Sequence, residues 1–171
     1  MLKRRSLSMN IFMLAGIVLA ASVFVLFGTV DFLRLHSEEI KISGYGLVKL
    51  STGKLTSPGA MYLKDSGVLD TVVTAGRFFL VGLVLDGLYL AAYAVNLFGV
   101  LSKYVRYYFL VAAAAAACMI TGSVLCLVAA QNMGQGTLGT IPGIAMLIAA
   151  VIVFIKESPF FYTQNPKNFL P

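Results

Sequence analysis

One carboxyl group carries most of the chemical interest of this chain. Asp86 lies inside an apolar run, Phe78 to Ser102, that contains no other charged residue. At the centre of a bilayer a carboxylate costs about 2.5–3.5 kcal/mol on insertion scales unless it is paired, protonated or hydrated. Such a group can serve as a proton or cation site, or as a contact for a basic residue on another subunit. Its structural alternative is a neutral or hydrogen-bonded side chain facing the interior of a helix bundle, near a tyrosine hydroxyl or Asn96. The remaining reactive side chains form no set. Cys118 and Cys126 are eight positions apart on one expected helix, about 12 Å along its axis, too far for a disulfide. Both are expected to be packing residues, and His36 stands alone. No Ser/His/Asp set, paired intramembrane carboxylates or phosphate loop is present, so the expectation is a protein that is not an enzyme and holds no cofactor or metal.

Composition identifies the elements that must hold these residues. Of 171 residues, 59% are hydrophobic and 12% charged, against about 25% charged in a typical soluble domain. Mean hydropathy is +0.89. A bilayer core of about 30 Å requires roughly 20 apolar residues in a helix, because lipid offers no partner to a free backbone amide. Four segments meet that demand, and the expected spans are about 10–30, 77–101, 105–130 and 138–155. The long apolar stretch from Tyr107 to Ile155 is divided at Gln131 to Gly136, where amides and glycines supply a turn. Pro142 then suits a first helical turn. The first segment opens like a signal peptide, with Lys3, Arg4 and Arg5, but its apolar run exceeds the usual length, and it is expected to remain as a span.

The charge pattern orients the spans. Lys3, Arg4, Arg5, Lys103, Arg106, Lys156 and Lys167 fall on one side, which the positive-inside rule makes cytoplasmic, with both termini and the tail 156–171. The net charge of +6 is then explained largely by phospholipid headgroups and requires no nucleic acid. Tyr104, Tyr107, Tyr108, Phe160, Phe161 and Tyr162 read as interfacial aromatics. The only sizeable polar region is the loop 31–76. Ile40 to Ser43 alternates with period two, Leu47 to Ser51 is strand-like, and Thr52-Gly53 can return the chain into Lys54 to Thr56. Asp70 is placed to cap a helix running into the second span. Ser43-Gly44-Tyr45-Gly46 has a superficial likeness to a potassium filter but lacks a pore helix and fourfold repetition, and its glycines read as a bend in a strand. The predicted architecture is an all-α membrane protein: a four-helix transmembrane bundle with a small antiparallel β-sheet in its first extracellular loop.

This order of elements resembles the claudin superfamily, which includes the peripheral myelin and epithelial membrane proteins and the tetraspan auxiliary subunits of glutamate receptors. Tyr45-Gly46-Leu47-Val48 stands where that superfamily has a Gly-Leu-Trp element. Ser51-Thr52-Gly53-Lys54 is similar to the polar turn that follows. Ala75-Gly76-Arg77-Phe78-Phe79 is similar to its Ala-Arg-Ala entry to the second span, and Phe32-Leu33-Arg34 to the end of its first. The chain departs from the pattern in having no tryptophan and no loop cysteine, so the signature residue and the loop disulfide are missing.

The resemblance implies a tetraspan that binds integral membrane proteins or its own copies, as an auxiliary subunit of a channel or receptor or as a junctional element, in the plasma membrane. Tyr45, Gly46, Leu47, Val48 and Leu50 are the expected partner-binding residues. Asp86, Arg77 and Asn96 are expected to shape the helix packing, assisted by the alanine run 112–117 and by Gly82, Gly87 and Gly122. Composition alone also suits a structural accessory subunit of an energy-converting complex in an organellar or bacterial membrane, and a small transporter using Asp86.

Overall fold

A computed structural model describes residues 7–35, 40–53, 58–97 and 105–133, with Ile148. Apart from that residue, the expected fourth span, and with it Lys54 to Thr56, His36 and the tail, lie outside the described residues. The element order is α1 (Leu7–Thr29), β1 (Asp31–Leu35), β2 (Ile40–Ser43), α2 (Gly44–Ser51), α3 (Pro58–Asp65), α4 (Leu69–Leu97) and α5 (Val105–Asn132). The described residues are therefore mostly helical with a small two-stranded antiparallel sheet. Two helical stretches, Leu69–Ala92 and Leu110–Asn132, are long and apolar enough to cross a membrane. The first, 24 residues long, measures about 36 Å at 1.5 Å per residue. Leu14–Thr29 is a shorter apolar stretch within α1. Each of these helices turns large apolar side chains outward: Leu14, Val18 and Val25; Val81, Val84 and Leu88; Leu110, Val124 and Val128.

The polar region differs from the expected sheet in the partner of its strand and in residues 44–51, where Gly44 and Gly46, expected to bend a strand, open a helix. Ile40–Ser43 is a strand, but it pairs backward with β1, in the register Leu33 to Ile42, Arg34 to Lys41 and Leu35 to Ile40. The segment expected to form the next strand, residues 47–51, is instead the body of α2. The cause is local. Ser43 caps the helix, its hydroxyl oxygen accepting from the Gly46 N–H at 3.3 Å, and Gly44, Leu47 and Leu50 are the buried residues. Their spacing of three is helical, and alternation by two would have left one of these leucines in solvent.

Chain stops are equally explicit. Gly67, at φ +70°, follows α3 and donates its N–H to the Lys64 carbonyl, while Val68 donates to Leu63. This is the paired bonding of a Schellman cap, and its accompanying apolar contact is present in the burial of Leu63 and Val68. Because Val68 is held there, α4 starts at Leu69, eight residues before the expected span. Asp70 consequently lies within the first turn and does not cap it; its charge still favours the positive end of the helix.

The core runs without a break from the cap elements β1, β2, α2 and α3 into the three long helices. Glycines set the closest approaches. A methyl group on Gly76 would collide with the Leu47 carbonyl and come within 2.8 Å of the Ser51 Cβ, so the backbones of α2 and α4 touch directly. One on Gly122 would come within 2.6 Å of the Phe79 ring. Backbone cannot move aside as a side-chain tip can. Gly76→Ala is therefore expected to lower stability by about 1–3 kcal/mol through overpacking, and Gly67→Ala by about 1–2 kcal/mol through its left-handed backbone. Thermal unfolding of the detergent-solubilised variants, followed by circular dichroism, measures both.

Candidate functional site

Two places hold the residues singled out by sequence: the α2 segment of the cap and the interior of the α4–α5 seam.

At the cap, three phenylalanines from distant parts of the chain meet. Phe27 at the end of α1, Phe32 in β1 and Phe79 in α4 have centroid separations of 5.0, 5.2 and 4.9 Å, and Phe79 meets both of the others edge-on. All three are fully buried. Phe32 and Leu33 are consecutive yet both buried, which ordinary strand alternation forbids; the register shift between Asp31 and Leu33 makes it possible. Tyr45 joins from α2 at 5.9 Å from Phe27. Its ring lies against Gly28, 3.5 Å from where a methyl group would stand, and its hydroxyl donates to the Phe24 carbonyl at 2.9 Å.

The five expected partner-binding residues are therefore divided. Leu47 and Leu50 are buried and belong to the core, Gly46 and Val48 are half-buried, and Tyr45 is exposed at its edge while anchored at its hydroxyl. The outward stripe of α2 and its C-cap residue is Tyr45, Lys49 and Thr52, at helical spacings of four and three. Sequence reasoning chose the contiguous stretch 45–48 with Leu50 and so passed over Lys49 and Thr52; on a strand Lys49 would still share the face of Tyr45, whereas Thr52 joins it only on a helix. The three-residue spacing of Gly44, Leu47 and Leu50 was the available signal. On α3, Met61 is 73% exposed, with Lys64 exposed one turn later.

Of the residues expected to shape the helix packing, Asp86 and Arg77 lie apart. Arg77 is exposed and nine positions from Asp86, about 14 Å along the helix, so it cannot neutralise that carboxylate and takes no part in the buried packing. Asn96 lies in the last turns of α4, and its side chain is outside the described residues. Asp86 itself is completely buried, and neither carboxylate oxygen has a hydrogen-bond partner among the described residues. Ser123, the other buried polar residue among the described ones, donates to the Met119 carbonyl at 2.9 Å within its own helix. Cys126 is buried and Cys118 half-buried, and both are free thiols. No cluster of three or more potential metal ligands occurs among the described residues.

Comparison with protein families, with characterised proteins and with solved structures finds no match. The geometry thus carries the functional reading. For the Tyr45 anchor it yields a direct expectation. Tyr45→Phe keeps the ring and removes one hydrogen bond, and is expected to cost about 0.5–1.5 kcal/mol; Tyr45→Ala also loses the ring contacts with Phe27 and costs more. Equality of the two variants in thermal unfolding would show that the ring contributes nothing.

Proposed function

We propose that this chain is an integral membrane protein of the claudin-like kind that threads the bilayer four times and works by recognition, without catalysis, holding other membrane proteins through its cap. The membrane part of the reading is supported by two helices of sufficient length and apolar character and by the apolar side chains that all three described long helices turn outward. Contiguous apolar surface of that kind is a liability in water and suits lipid. With residues 138–155 as the fourth span, both termini and their basic residues face the cytoplasm and the cap faces outward across the plasma membrane. Arg77, exposed one residue beyond the α2–α4 contact at Gly76, then lies where the apolar part of α4 meets the headgroups, where an arginine stem can cover apolar surface while its head reaches phosphate.

The observation that carries the recognition reading is the rigid attachment of the cap. Buried rings, backbone contact at Gly76 and the Tyr45 bond fix α2 upon α4 and α1. Side chains held in this way lose little further entropy when a partner meets them. The stripe Tyr45, Lys49 and Thr52, flanked by Val48, is the surface so presented. It is amphipathic, with an aromatic edge at one end and a cation in the middle, a combination suited to a partner with an apolar notch and an acidic rim. The subunit role of a channel or receptor auxiliary protein is favoured over a junctional one because the loop has no cysteine to staple it, and a standing partner adds stability by mass action.

A photo-crosslinking residue at Lys49 tests this in native membranes, with the same residue at lipid-facing Leu88 as a reference. A discrete adduct with an integral membrane protein is expected from position 49, lost when Thr52→Arg is added. Adducts that are identical from both positions, or unaffected by Thr52→Arg, would contradict the assignment.

A further inference from the structure

We infer that Asp86 and the alanine wall of α5 form a proton-binding site sealed inside the helix bundle, and that its loading and unloading are tied to the opening of the α4–α5 seam. This goes beyond the recognition role of the cap and does not depend on the partner.

Glycine contacts fix the register of α4 against α5. A methyl group at Gly82 would come within 2.9 Å of Met119, and one at Gly122 within 2.6 Å of Phe79. Moving along α4 from 79 to 82 thus corresponds to moving back along α5 from 122 to 119, so the two helices are antiparallel. One further turn puts Asp86 at the level of Ala115, with Ala112 and Ala116 beside it. All three alanines are buried, and a methyl group offers neither donor nor acceptor. On the α1 side, Phe24 lies 3.8 Å from where a methyl group on Gly87 would stand, and Ala20 and Val23 are the buried residues nearby in sequence. Among the described residues no charged group faces Asp86 from these surroundings, and the titratable groups within one turn are Tyr89, buried further along α4, and the half-buried thiol of Cys118 on α5.

A fully enclosed carboxyl with two unpartnered oxygens, set in this wall, requires something to offset its charge. Metal cations demand several oxygen ligands at once, and the alanine wall supplies none. A proton needs only the carboxyl oxygen itself. The step is a simple transfer: a hydronium ion gives its proton to one carboxylate oxygen, an O–H bond forms, and water leaves. Water must reach the group for this to occur, and Gly82, the alanines and the flexible Met119 thioether are what stand in its way. Such small and unbranched groups permit the two helices to part or slide with few steric obstacles.

Infrared spectroscopy of the whole protein in lipid nanodiscs decides the matter. At neutral pH the carbonyl stretch of a neutral carboxylic acid is expected, moving on carbon-13 labelling of the aspartate side chains and absent from Asp86→Asn. The labelled wild type suffices should that variant fail to fold, since Asp65 and Asp70 are exposed and Asp31 is only partly buried. In heavy water the band is expected to shift no faster than the amides of α4 and α5 exchange. Absence of the band, or its loss when sodium chloride is added at fixed pH, would overturn the proton assignment. An immediate shift in heavy water would overturn the coupling to the seam.

Discussion

The mutual contact of Phe27, Phe32 and Phe79 is the constraint on which the rest of this structure depends. It joins the end of α1, the first strand and the long helix α4 at one point, with ring centroids about 5 Å apart, and each such pair contributes about 0.5–1.5 kcal/mol beyond the area it buries. Two glycines make room for it. Gly44 lets α2 begin directly against Phe27 and Phe32, and Gly122 lets α5 close over Phe79. Larger residues at either place would force the rings apart. The bulge that buries Phe32 beside Leu33 serves the same packing.

From this contact the arrangement of the cap follows. A two-stranded sheet is marginal in water, and this one gains its stability by resting its apolar residues on the helices. The helix α2 is short, eight residues, well below the length at which isolated helices persist. It is held by its serine cap, by Leu47 and Leu50 in the core, and by direct backbone approach at Gly76. The cap and the long helices consequently share one core, and the outward stripe of α2 inherits its rigidity from the aromatic contact beneath it.

Much of this was legible in the sequence. The apolar lengths that become α1, α4 and α5, the strand at Ile40–Ser43 and the isolation of Asp86 all follow from hydropathy and period. Residues 44–51 were less legible because apolar Val48 and Leu50 alternate with polar Lys49 and Ser51 in a way that also fits a strand; the deciding facts, the contacts of Gly44 with Phe27 and Phe32 and of Gly76 with Leu47 and Ser51, connect positions far apart in the chain. The strand Asp31–Leu35 was hidden for a related reason, since its buried pair Phe32-Leu33 breaks alternation through a bulge. The early start of α4 depends on the glycine cap at Gly67, a local signal that the sequence does contain. For the candidate site, sequence located Asp86 but could not tell that Arg77 lies on the outside, because an arginine near a span end fits either face.

The most direct test of this account is hydrogen exchange in lipid nanodiscs on Phe32→Ala, which removes one ring from the contact and leaves every helix sequence intact. The account expects amide protection to fall together in β1, β2 and α2, while α5 around Ala115 to Met119 stays protected. If the loss were confined to the strand pair and α2 kept its protection, the cap would be held by something other than the aromatic contact, and the central claim would fail.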